Sequence, residues 1–110
     1  MTKVTILKHK SGDYREFICE GHAGYAKRGE DIVCAAISVL VINTINSLEE
    51  LTKEPIRVET DEAAGKIRCT FTEHPMLETS LVLMDSLTLG LQRIQAQYGS
   101  KHCKLTVEEV

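Results

Sequence analysis

Two residues in the stretch Gly21-His22-Ala23-Gly24 to Ser38 have types and spacing that suit nucleophilic chemistry: His22, set between small residues, and Cys34, just inside an apolar run. A thiol attacks a carbonyl only as a thiolate, which a neighbouring imidazole or a helix N-terminus favours. Asp31 is a good N-cap candidate, and it would put Cys34 at the third helical position, close to unpaired N–H groups able to hold an anion or an oxyanion. Gly21, Gly24 and Gly29 suggest an open approach to that helix, and Ala23, Ala26, Ala35 and Ala36 leave room around it. Asp31, Cys34 and Ser38 fall on one stripe of the helix. His22 is then the candidate general base, and the loop from Ala23 to Glu30, with Ala23, Gly24, Tyr25 and Gly29 as substrate-loop residues, is expected to close over a substrate.

Blander readings stand beside this one. Free cysteine is among the most buried residue types, so Cys34 could be filling, as Cys19, Cys69 and Cys103 are expected to be on alternating inward faces. Asp31 could be a plain cap or could orient His22, and Ser38 could bond the carbonyl four residues back. Cys19, His22 and Cys34 lack the dense ligand spacing of a zinc site, so neither a metal nor a cofactor is expected. Lys27 and Arg28 before a helix start resemble an anion site but fit no phosphate-loop spacing. They support an alternative function, a non-catalytic module that grips a peptide or anion with residues 21–31. His9, His74 and His102 read as strand or turn residues at the surface, since the sequence near them marks no chemistry.

The elements that must position the pair follow from periodicity. Val4/Ile6 and Phe17/Cys19 alternate on either side of Ser11-Gly12-Asp13, which reads as a hairpin ending near Gly21. Asp31 to about Leu51 is helical and apolar on nearly every face, so burial on more than one side is expected. A second hairpin joins Ile56/Val58 to Ile67/Cys69/Phe71 through Asp61-Glu62-Ala63-Ala64-Gly65. Leu77, Met84, Leu87, Leu91, Ile94 and Tyr98 mark an amphipathic helix that stops at Gly99, and Cys103, Leu105 and Val107 mark a last strand. The order ββαββαβ predicts an α+β fold of the two-layer type: one mixed, mostly antiparallel sheet with two helices packed on it, in a single domain over residues 1–110.

Composition narrows the partners. The chain of 110 residues has a net charge of −3, with its 13 Lys and Arg scattered, which disfavours nucleic-acid binding. Met1-Thr-Lys-Val opens an alternating strand rather than an export signal, and the longest apolar run, Ile32 to Ile42, is too short to span a bilayer. A cytoplasmic protein with no membrane partner is expected, its four cysteines free thiols rather than a disulfide framework.

Glu20-Gly21-His22-Ala23, Gly29, and Asp31-Ile-Val-Cys-Ala-Ala-Ile-Ser38 together resemble the ribosomal-processing cysteine protease family, and the likeness extends over essentially the whole chain. The resemblance implies a bacterial endopeptidase that removes a short N-terminal extension from the precursor of a large-subunit ribosomal protein. It implies Cys34 as nucleophile, His22 as its base, and supporting positions at Gly21, Asp31 and Ser38. It also implies a homodimer, which would help to account for a first helix apolar all round.

Overall fold

The computed structural model describes residues 2–21 and 28–110, the latter with backbone alone for 28–31. Its strands are β1 (Thr2–Lys8), β2 (Tyr14–Glu20), β3 (Ile56–Asp61), β4 (Lys66–Phe71) and β5 (Cys103–Glu109), and its helices are α1 (Arg28–Leu51) and α2 (Glu78–Tyr98). The strands form one sheet in the order β3-β4-β2-β1-β5. Only the β1–β5 pair is parallel, so the sheet is mixed and mostly antiparallel as expected.

Alternation decides which face is buried. Val4 and Ile6, Phe17 and Cys19, and Cys69 and Phe71 point to the same side, where Val33, Ile37, Val41, Ile45 and Leu48 of α1 and Met84, Leu87 and Leu91 of α2 complete the core. The two helices approach closely at Gly90, where a Cβ would stand 3.0 Å from Cδ1 of Leu40. A side chain there would have to push Leu40 out of its groove. The chain leaves α2 at Gly99, whose N–H bonds the Gln95 carbonyl at 2.8 Å.

Four expectations fail at the periphery. Val58 and Val107 are exposed because β3 and β5 are the sheet's edges, and Leu77 and Tyr98 are exposed because they sit at the ends of α2. α1 is not buried all round: Ile32 and Val39 are each 65% exposed and Ile42 is 47% exposed, so one apolar stripe faces away from the core. Over Ile32–Leu51 that helix is, against expectation, long and apolar enough to cross a membrane on length and composition. Its packing against the sheet is that of a core helix, for which a continuous apolar surface is equally apt.

The end of the sheet formed by the β1–β2 turn is tied to the segment before α2 by polar contacts. Asp13 Oδ2 accepts the Met76 N–H and faces Nδ1 of His74, each at 3.1 Å, and the Tyr14 hydroxyl donates to Asp85 at 2.6 Å. Glu54 reaches from the α1–β3 connection to accept the Leu77 N–H at 2.9 Å, at the start of α2. His74 therefore has a partner distant in sequence, and its ring also meets that of His9 edge-on at 4.8 Å. His102 is half-buried rather than a surface residue.

Candidate active site

At the opposite end of the sheet, a cavity of about 370 Å³ opens between α1 and the β3–β4 hairpin. Cys34 and Ser38 of α1, Thr2 of β1, Cys19 of β2 and Gly21 line one part of it; Thr60, Asp61, Glu62, Gly65, Lys66 and Ile67 line the rest. Pockets of this size accept small ligands or a short stretch of extended peptide. Cys34 and Ser38, from one stripe of α1, both line this cavity, so Cys34 borders open space as well as the core.

Gly21 takes φ 88°, a left-handed conformation that a side chain would strain, at the exit from β2. That conformation is a physical reason for glycine at this place. Cys34 is only 5% exposed, and its Sγ lies 2.7 Å from the Thr2 hydroxyl oxygen. The pair can hydrogen-bond in either sense: the thiol donates to the hydroxyl, or the hydroxyl donates to the thiolate. Thr2 was not among the candidates, because nothing local in the sequence marks it. Only the pairing of β1 beneath α1 brings it to Cys34.

The helix start differs from expectation. α1 begins at Arg28, so Asp31 lies within its first turn and is not the N-cap, and Gly29 is helical rather than part of a loop. Cys34 is beyond that first turn, where its N–H is committed to the helix ladder and the dipole has largely faded. The expected oxyanion donors at Cys34 itself are thus absent. A helix start read four residues too late arises naturally in sequence reading, since Arg28-Gly29-Glu30 carries no apolar periodicity. His22, Ala23, Gly24, Tyr25 and Lys27 lie outside the described residues, and with them most of the expected closing loop; the side chains of Arg28 and Asp31 do too.

All four cysteines are free and buried. Burial pushes the Cys19 thiol up to about 11 and the Cys69 thiol up to about 12, with smaller contributions from neighbouring acidic groups, and it raises Cys103 as well. Cys69 is at zero exposure under the helices and behaves as inert core, as its alternating position suggested. Among the described residues, no group of three His, Cys, Asp or Glu side chains is arranged to hold a metal ion.

Comparison with known proteins gives this geometry a context. Residues 1–103 match the family model described as cysteine protease Prp. The ribosomal processing cysteine protease Prp of Staphylococcus aureus is 30% identical over 99 residues, covering 90% of this chain and 92% of its own length. That of Bacillus subtilis is 24% identical over 101 residues, covering 89% and 90%. The fold is that of the crystallised S. aureus protease Prp in complex with a substrate peptide, with a TM-score of 0.90 at 23% identity over 98% of this chain and 100% of the other. With its family model matched almost end to end, the chain belongs to the cysteine protease Prp family.

Proposed function

We propose that this enzyme removes the short N-terminal extension from the precursor of a bacterial large-subunit ribosomal protein, with Cys34 as nucleophile and His22 as general base. The observation that carries the assignment to Cys34 is its position on the wall of the cavity, with Sγ in contact with the Thr2 hydroxyl. The substrate class rests on the relatives, which are named ribosomal processing proteases and one of which is crystallised with a substrate peptide.

In this reading His22 takes the Cys34 proton, and the thiolate attacks the scissile carbonyl carbon. The nitrogen side leaves with a proton from the imidazole, and water then hydrolyses the thioester. Thr2 holds Sγ in place and, once the thiol has ionised, donates to it. Ser38 and Gly21 contribute to the cavity wall, and Asp31 has a supporting role at the helix start.

The reading extends to a cytoplasmic homodimer. Free thiols suit a reducing compartment, and the exposed Ile32, Val39 and Ile42 of α1 offer an apolar stripe for a second copy. Sedimentation velocity should then show a dimer that Val39→Glu converts to monomer.

The test of function is mass spectrometry of a synthetic ribosomal-protein precursor bearing its extension, incubated under reducing conditions with the wild type, Cys34→Ala, Cys34→Ser and His22→Ala. One truncation by the wild type, lost in all three variants, is expected. Equal cleavage by Cys34→Ala would overturn the assignment, and an intact precursor with folded wild type would favour a peptide- or anion-binding module.

A further inference from the structure

The cavity end of the sheet holds more sulfur than peptide cleavage uses. Cys103 is the register partner of Thr2 in the parallel β1–β5 pair, so the two side chains stand next to each other on the same buried face. Thr2 is the residue whose hydroxyl touches Cys34 Sγ. Cys19, on the other side of β1, pairs with Val4, one pleat further along. Cys34 thus sits over Thr2, with Cys103 beside it and Cys19 displaced along the strand. The nearness of Cys34 also adds to the burial that raises the Cys103 thiol.

We propose that Cys103 is a resolving cysteine for Cys34, and that mild oxidation by a hydroperoxide closes a reversible Cys34–Cys103 disulfide that stores the protease in an inactive form. The proposal rests on Cys34 being the reactive thiol of the cavity. The Cys34 thiolate attacks one oxygen of hydrogen peroxide; an S–O bond forms, the O–O bond breaks, and hydroxide leaves and takes a proton to become water. The sulfur of Cys34, now a sulfenic acid, is attacked by Cys103. An S–S bond forms, the S–O bond breaks, and the departing hydroxide takes the Cys103 proton, giving a second water.

The geometry suits this chemistry for two reasons. Hydrogen peroxide is small enough to enter a cavity that Cys34 lines, whereas Cys103 is at zero exposure and does not line it. Cys19 lines the cavity as well, and both of these thiols meet the oxidant before Cys103 does. A buried resolving thiol competes with further oxidation of Cys34 only if it is already adjacent, and Thr2 bridges the two residues. The bond forms with the two Cα atoms about 5.5 Å apart, the usual separation across a disulfide.

The experiment is stepwise addition of hydrogen peroxide to the reduced full chain, read by intact mass and by tryptic mapping without reductant. The four cysteines fall on separate tryptic peptides, so each linkage is distinguishable. The expected product is two hydrogens lighter, with the peptide holding Cys34 joined to that holding Cys103, and dithiothreitol restores the free thiols. In Cys103→Ser, and in Cys103→Ala as a second variant, Cys34 should instead gain two or three oxygens irreversibly, several-fold faster than in the wild type, while Cys19→Ser behaves as wild type. A linkage of Cys34 to Cys19, irreversible oxidation of Cys34 in the wild type at the rate seen in the Cys103 variants, or no oxidation at Cys34 would overturn the proposal. None of these readouts depends on peptide cleavage, so they stand apart from the test of proteolysis.

Discussion

The two ends of the sheet use polar groups in opposite ways. At the turn end, Asp13, His74, Tyr14 and Asp85 are spent on one another and on backbone, and they join the β1–β2 turn to the entry of α2. At the cavity end, Cys34, Thr2, Ser38 and the β3–β4 hairpin face an open space, and the Thr2 hydroxyl touches a potential nucleophile. Polar groups that satisfy each other rigidify a structure, and those left facing a cavity are available to a substrate. The difference separates the residues that hold the fold together from those the proposed chemistry would use.

Substitutions at the two ends should therefore separate activity from stability. Cys34→Ala should lower kcat/KM about 10⁴-fold or more, as loss of a catalytic nucleophile does, with little change in the urea midpoint. Asp13→Ala should do the reverse, costing about 2 kcal/mol of stability by leaving the Met76 N–H and His74 without their acceptor, while the folded fraction keeps full activity. Thr2→Val keeps the shape and removes the hydroxyl; a hydrogen bond to a charged sulfur predicts about a tenfold fall in kcat, with KM nearly unchanged. An equal loss from Thr2→Ser would show that the methyl group, not the hydroxyl, matters. Tyr14→Phe should cost about 1 kcal/mol in denaturant titration and nothing in turnover.

The smallest effect near neutral pH is an alkaline one. Cys19, Cys69 and Tyr14 are pushed up to about 11, 12 and 12 from ordinary values of 9.0, 9.0 and 10.0, chiefly by burial. Because the folded values are raised, the unfolded chain loses these protons first. The stabilisation is complete below pH 9 and declines from there toward pH 12, at about 1.4 kcal/mol per pH unit for each group in its window. Urea midpoints measured across that range should fall, and Cys69→Ala should flatten part of the fall.

How much of this was legible in the sequence follows the same division. The strands and helices were, because period-two and helical apolar spacing report burial directly, as in Val4/Ile6 and Met84/Leu87/Leu91. So was the stripe shared by Cys34 and Ser38. What sequence reading could not supply came from long-range pairing: Thr2 under Cys34, Cys103 beside Thr2, the β3–β4 hairpin as the far cavity wall, and Asp13 facing His74. The misplaced cap at Asp31 had a local cause, since a good capping side chain is equally acceptable inside a first turn, where the dipole also favours an acid.

The most direct test of the division is the reactivity of the four thiols toward a limiting amount of iodoacetamide, mapped by peptide across pH 5 to 10 with and without substrate peptide. Cys34 should be alkylated first, the substrate peptide should slow it, and Cys69 should remain unlabelled until the protein unfolds. Labelling of Cys34 no faster than Cys103 or Cys19, or at a rate the substrate peptide leaves unchanged, would contradict an active site built around Cys34.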